Sequence, residues 1–154
     1  MTAVLLSVHV LAAILAIGPV CVAASMVPAE ARRAVADGGE VADAGRLPVL
    51  VRICRTYALV GIAVPVFGLA TASSMGVLTD PWVLVSIVLT LAAAGLLALR
   101  ILPQQRALLD TVGTDRARVG ELAGRLAGAT GMFNLLWATV TVLMIVRPGS
   151  STGV

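Results

Sequence analysis

The sequence predicts an all-α, polytopic membrane protein whose four transmembrane helices form an antiparallel bundle. Of its 154 residues, 59% are hydrophobic and 12% are charged, whereas soluble domains average about 45–50% and about 25%. The chain also contains four apolar runs of about the twenty residues with which an α-helix crosses the ~30 Å hydrocarbon layer. A span has to be helical because lipid cannot hydrogen-bond the backbone. We therefore expect one membrane domain over residues 1–147, with spans at 2–27, 52–77, 82–102 and 126–146.

The first run, residues 2–27, holds no charged residue and contains His9, the only histidine of the chain. It lacks the basic start of a signal peptide and exceeds the ~7–15 apolar residues of one, so a retained span is expected. In the connector that follows, residues 28–51, acidic and basic side chains alternate around two glycines. This composition predicts a solvated surface loop from Pro28 to Leu47.

The second run begins with two arginines. Arg52 and Arg55 lie three residues apart, so they share a helix face at the membrane boundary, and their long side chains are expected to reach lipid headgroups. Farther along, Pro65 is expected to bend the helix because it lacks an N–H group. Gly61 and Gly68 are predicted to be helix-packing positions, since small residues let two helix backbones approach closely.

The third run is bounded by prolines. Asp80 is predicted to cap its start, with Pro81 as the first helical residue, and Trp82 follows at the membrane interface. Near the far end, Arg100 is expected to reach headgroups as Arg52 and Arg55 do. Pro103 is expected to disrupt the helix, so that a polar connector covers residues 103–125.

The fourth helix is predicted to start at Thr114 or Asp115, inside this connector, and to end at Val146, before a disordered tail at 148–154. Three glycines recur at every fourth position of its first half: Gly120, Gly124 and Gly128. Glycine costs ~1 kcal/mol per position in an exposed helix, so something is expected to pack against them. That neighbour is either another helix of this chain or a partner protein. Deeper in the membrane, Asn134 and Trp137 belong to a polar and aromatic stripe that, with His9, is expected to face the bundle interior.

The arginines predict the orientation. All eleven basic residues are arginines, and ten of them lie in the two connectors and their flanks, which leaves Arg147 alone on the other side. Cytoplasmic loops carry an excess of positive charge, so both connectors are expected in the cytoplasm and both termini outside. Arginine without lysine, together with abundant small and aliphatic residues, suggests a bacterial gene and hence the cytoplasmic (inner) membrane. The lipid bilayer is the expected partner of these arginines, and nucleic acid is not expected because no aromatic residues are interleaved with them.

Three segments resemble a bacterial family of predicted four-helix integral membrane proteins of unknown function. They are LLSVHVLAAILAIGP in the first run, RICRTYALVGIAVPVFGLAT in the second and WVLVSIVLT in the third. The resemblance covers most of the chain and implies the same four-helix topology. Its motifs are packing motifs, so it implies no chemistry beyond drawing attention to His9.

No pattern in the sequence predicts an enzyme. A single histidine cannot supply a Ser-His-Asp set, a zinc site or an HExxH helix. The glycines of the fourth helix lack the strand and the basic residue of a phosphate-binding loop. A proton-coupled transporter is disfavoured as well, because no carboxylate lies within a predicted span.

Two functional hypotheses remain. The first is an accessory or structural subunit without catalytic machinery, which binds a larger membrane complex or itself through small-residue helix faces and needs no cofactor. The second is a haem- or copper-binding membrane protein in which His9 is a ligand and Met75 or Met144 is a possible second one. Structurally, His9 is expected to be neutral and to make a hydrogen bond inside the bundle. Absorption near the Soret region would separate the two hypotheses.

Overall fold

The computed structural model describes residues 1–36 and 45–149, and this part of the chain is helical, without β-strands. A π-helical turn, Leu97–Ile101, separates the fourth α-helix from the fifth. The six α-helices are α1 (Thr2–Ala36), α2 (Arg46–Val60), α3 (Ala63–Met75), α4 (Pro81–Leu96), α5 (Leu102–Thr111) and α6 (Arg116–Val146). The predicted all-α fold is therefore confirmed.

These elements combine into four helices that are long and apolar enough to cross a membrane. They are Thr2–Ala36, Arg46–Met75, Pro81–Thr111 and Arg116–Val146, and we number them spans 1 to 4 in chain order. Successive spans run in opposite directions. Spans 1 and 3 finish, and spans 2 and 4 begin, at the same end of the bundle. We call this end the arginine-rich end, and the other one the opposite end. The multi-pass antiparallel architecture predicted from hydropathy is thus present.

Spans 1 and 4 form the centre of the bundle. Helix α1 packs against α2, α3 and α6, and α6 packs against α4 and α5 as well as α1. Spans 2 and 3 meet through α2 and α5 at the arginine-rich end, whereas α3 and α4 make few contacts. The bundle is therefore closed at the arginine-rich end and more open between spans 2 and 3 at the opposite end.

Helix α1 extends well beyond the predicted first span. It continues through Pro28 to Ala36, where a surface loop from Pro28 to Leu47 was expected. The extension is rich in alanine, the best helix former, and it buries Ala31 and Ala34 against the core. At the end of the expected loop, Arg46 and Leu47 already belong to α2, and Leu47 is buried. Residues 37–44 of that loop lie outside the described residues, as do residues 150–154 of the predicted tail.

Span 3 passes Pro103 without ending. Proline cannot donate to the carbonyl four residues earlier and its ring clashes with that carbonyl. The π-helical turn just before it widens the backbone, and the N–H of Leu102 donates to the carbonyl of Leu97. The helix then continues as α5 to Thr111, so the expected end near Leu102 is replaced by a local change of helix type.

Pro65 interrupts the helix at the place where the sequence predicts a bend. The α-helix of span 2 is interrupted at Gly61–Ile62, four residues before the proline. The Gly61 carbonyl, which Pro65 cannot bond, accepts instead from the Val64 N–H at 3.1 Å. At the far end of α3, Gly76 adopts a left-handed conformation with φ of 69°, which turns the chain towards span 3.

The start of span 4 agrees with the prediction, whereas the start of span 3 differs from it in one detail. The Asp115 carboxylate accepts from the Arg118 N–H at 3.1 Å and so caps α6. Asp80 occupies the N-cap position before Pro81 but makes no side-chain cap. Its carboxylate accepts instead from the Trp82 indole N–H at 3.1 Å, a contact that helix-capping rules do not anticipate.

The continuous hydrophobic core lies in the arginine-rich half. Its fully buried members include many alanines, which allow the helices to approach closely. The buried residues of this core are Val20, Ala23, Ala24, Val27, Ala31, Ala34, Leu47, Val51, Cys54, Ala93, Leu97, Ile101, Leu108, Val112, Val119, Ala123, Leu126 and Phe133. The core thus holds all four spans together at one end.

Candidate functional site

His9 lies in the opposite half, between α1 and α3. Its Nδ1 atom is 2.9 Å from the backbone carbonyl oxygen of Val64. A carbonyl can only accept, so Nδ1 carries the hydrogen, and in the neutral ring Nε2 keeps its lone pair. The side chain therefore links span 1 to span 2 through a hydrogen bond inside the bundle, as expected, although its partner is a backbone carbonyl.

Gly68 forms the notch into which His9 fits. A Cβ atom added at Gly68 would lie 2.9 Å from His9 Cε1 and 3.2 Å from Nδ1, which is closer than such atoms approach. The absence of a side chain therefore lets the imidazole lie directly on the α3 backbone. Gly68 is a close-approach position, and the group that it accommodates is a side chain of span 1.

The contacts of Gly61 differ from those of Gly68. The atoms nearest to an added Cβ at Gly61 are carbonyl oxygens of its own segment, Ala58 at 3.1 Å and Tyr57 at 3.3 Å. These contacts arise from the tight turn that interrupts span 2. The geometry therefore connects Gly61 with the interruption of span 2.

The polar stripe of α6 includes three groups with an unpartnered atom. Asn134 donates from its amide nitrogen to the Ser25 hydroxyl at 3.1 Å, which joins span 4 to span 1. The Asn134 carbonyl oxygen, the Trp137 indole N–H and the buried Thr130 hydroxyl have no hydrogen-bond partner among residues 1–36 and 45–149. An unpaired polar group in a lipid or protein interior is costly, and all three of these atoms are buried within the bundle.

A second polar contact was not predicted from the sequence. Gln105, in the connector assigned to solvent, is 0% exposed, and its amide nitrogen donates to the Cys54 sulfur at 3.4 Å. Helix α5 turns this side chain inward because the helix does not end at Pro103. Cys54 and Cys21 are both free thiols. One feature of the sequence could have indicated this burial. Gln105 lies three residues before Leu108, so the two side chains share a helix face, and Leu108 is buried.

The glycine stripe of α6 faces away from the described helices. An added Cβ at Gly120 or Gly128 would find no atom within 4 Å, and at Gly124 it would meet only an Arg32 guanidinium nitrogen at 4.0 Å. All three glycines are exposed. No described helix of this chain therefore packs closely on the stripe, so the expected neighbour from the same chain is not found among the described residues.

Arg52, Arg55 and Arg100 are exposed, as a headgroup role requires. Two ion pairs occur within the described residues, Arg33 with Glu30 at 2.8 Å and Arg125 with Glu121 at 2.5 Å, and neither involves these three arginines. Arg52 and Arg55 line an open groove of about 440 Å³ between α2 and α5. They are brought together there, whereas Arg100 lies in the π-helical turn of span 3.

The comparisons with known proteins give no family for this chain. No protein-family model, curated protein or solved structure matches it. The resemblance to a bacterial four-helix family stays a prediction, and the function has to be argued from the geometry of the residues.

The residues considered for haem or copper lie on three different helices, His9 on α1, Met75 on α3 and Met144 on α6. In the described part of the chain, no three side chains of His, Cys, Asp or Glu come close enough together to hold a metal ion. Met75 is exposed at the end of α3 and Met144 is half-buried near the end of α6. His9 Nε2 is the one nitrogen that this arrangement offers as a ligand, because Nδ1 is used by Val64.

Proposed function

We propose that this chain is a non-catalytic membrane protein of the accessory or structural kind, which binds a larger membrane complex or a second copy of itself through α6. The binding surface is the exposed glycine stripe Gly120, Gly124 and Gly128. In lipid, helices associate through van der Waals packing of closely approaching backbones, and small residues are enriched where they do so. The open glycine stripe is the observation that carries this proposal.

The site of action that we propose is the bacterial cytoplasmic membrane, with the arginine-rich end in the cytoplasm and both termini outside. The support is the ten-to-one distribution of arginines and the four helices able to span a membrane. In this arrangement the glycine stripe begins near the cytoplasmic boundary and continues into the bilayer. It is therefore accessible to another membrane-spanning helix.

A glycine substitution in the membrane tests the proposal. Gly128→Leu fills the space that a partner backbone would occupy, so association is expected to weaken by about tenfold or more while the isolated chain keeps its thermal stability. Gly95→Leu is the matched control, since Gly95 also lies in a spanning helix with no atom within 4 Å of an added Cβ.

Single-molecule photobleaching in liposomes measures the fraction of dimer over a dilution series of the protein. Copurification from native membranes measures binding to a different partner protein. Loss of either interaction in Gly128→Leu, but not in Gly95→Leu, supports the proposal. If Gly128→Leu changes neither self-association nor copurification, the stripe faces lipid alone and the proposal is wrong.

His9 supports an alternative proposal, a haem- or copper-binding protein. Ligating histidines commonly donate their second ring nitrogen to a carbonyl or carboxylate, and His9 donates Nδ1 to the Val64 carbonyl in this way. The purified protein would then show a Soret band or bound copper that His9→Gln removes. A wild-type protein without either signal after expression with added haem or copper rejects this alternative.

A further inference from the structure

The groove between α2 and α5 contains two arginines without an acidic partner in the described chain. Arg52 and Arg55 are one helical turn apart and share it with Pro48, Val51, Thr56, Leu59 and Leu109. Both arginines are exposed. A guanidinium is planar, always charged and suited to bidentate contact with phosphate oxygens. Two of them at the rim of one groove provide a site for a phosphate group.

An apolar surface continues from the arginines along span 2. Leu59, Ile62 and Val66 follow Arg55 at intervals of four, three and four residues, the spacing of one helix face. Gly61 and Ile62 keep right-handed helical dihedral angles across the interruption of span 2, so this spacing applies on both sides of it. Each has more than half of its surface exposed, with Leu59 at 71%. Their side chains therefore form a continuous apolar surface below the charged groove.

The length of this surface matches one leaflet of a bilayer. At 1.5 Å per residue, the eleven steps along the helix from Arg55 to Val66 extend about 16 Å, close to half of the ~30 Å hydrocarbon thickness. The charged groove lies at the arginine-rich end, where the membrane boundary is expected. Charge, polarity and length therefore all correspond to a phospholipid with its headgroup at Arg52 and Arg55.

We infer that this groove binds one anionic phospholipid, with the phosphate between Arg52 and Arg55 and an acyl chain along Leu59, Ile62 and Val66. The occupant is a lipid of net negative charge because the described groove residues supply two positive charges and no carboxylate. A zwitterionic lipid would bring its own cation next to the arginines. This site is formed by α2 and α5, so it does not depend on the proposed association through α6.

The first experiment uses the wild-type protein. The chain is purified in neutral detergent and titrated with phosphatidylglycerol or phosphatidylcholine of equal chain length, and native mass spectrometry measures the fraction with one bound lipid. We expect phosphatidylglycerol to bind about tenfold more tightly or better, since each arginine near a membrane contributes to attraction of anionic lipid. Added salt should reduce this difference because it screens exposed charges.

The second experiment uses charge-matched variants. The double variant Arg52→Gln, Arg55→Gln should lose the preference for phosphatidylglycerol. The control is the double variant Arg116→Gln, Arg118→Gln, which removes two exposed arginines from α6. It should keep the preference within about twofold. A dihexanoyl phosphatidylglycerol should bind less tightly than a long-chain one, because it covers less of the apolar surface.

Three results would overturn the inference. One is equal binding of the two lipids by the wild-type protein, a result that does not depend on the folding of any variant. Another is an unchanged preference in the Arg52, Arg55 double variant. The third is displacement of phosphatidylglycerol by inorganic phosphate at equal concentration, which would assign the groove to a soluble anion.

Discussion

The two halves of the bundle are held together in different ways. In the arginine-rich half, small buried side chains from all four spans form a continuous core. In the opposite half, α3 and α4 make few contacts, and polar interactions join the spans. Such interactions are His9 with Val64 and the Arg147 guanidinium over the Trp82 ring, 5.8 Å from its centroid.

The difference shows what organises helices in lipid. Lipid chains are as apolar as leucine, so no hydrophobic force drives two apolar helices together there. Exposed leucines and valines on every span are consistent with this. Packing of alanines together with larger aliphatic side chains stabilises one half, while one hydrogen bond and one cation–π contact join the described spans in the other half.

The largest expected difference between the two ends is their accessibility to a membrane-impermeant reagent added to intact cells. Thr79 and Thr114 are both exposed threonines in turns, at the opposite end and the arginine-rich end respectively. In a chain without native cysteines, Thr79→Cys should react with an impermeant maleimide on intact cells, and Thr114→Cys only after permeabilisation. The reason is that the arginine-rich end is expected to be cytoplasmic.

The labelling pattern is measured by gel shift, with total labelling in detergent as the control for reactivity. Labelling of Thr114→Cys but not of Thr79→Cys on intact cells would reverse the proposed orientation.

The next largest effect concerns packing in the arginine-rich half. Ala93 is fully buried in the core of span 3, while its neighbour Ala94 is exposed. Ala93→Leu should therefore destabilise the folded chain by about 1–3 kcal/mol, the usual cost of overpacking, and Ala94→Leu should have little effect. Thermal unfolding in detergent and unfolding in mixed micelles measure the difference. Similar stabilities for the two variants would mean that the core is loosely packed.

The smallest effect is expected in the opposite half, at the contact of His9 with α3. His9→Gln should fold with a loss of about 0.6 kcal/mol, the average for hydrogen bonds between membrane helices. Gly68→Ala should displace the imidazole, because the added Cβ would lie 2.9 Å from it. The two changes act on one contact, so their effects on the free energy of unfolding should be less than additive.

A double-mutant cycle measures this coupling, with Ala94→Leu in place of Gly68→Ala as the independent control. Fully additive effects of His9→Gln and Gly68→Ala would show that the notch at Gly68 does not position His9.

The sequence alone determined the class of the protein and its main elements. Hydropathy and length predict four spanning helices because membrane crossing depends on a local property, the polarity of about twenty successive residues. Local chemistry also predicts the start of span 4 at Thr114 or Asp115, the start of span 3 at Pro81 and the interruption of span 2 before Pro65.

Only the tertiary structure decided where helices continue and which faces they cover. The chain continues through Pro28 into a segment whose alanines are buried against the core, and through Pro103 after a π-helical turn that accommodates the proline. The rotation of each helix against its neighbours decides three features. These are the exposure of the glycine stripe at Gly124, the burial of Gln105 and the choice of the carbonyl to which His9 donates a hydrogen bond. A sequence pattern defines a face of a helix, but the contacts between helices decide what lies against it.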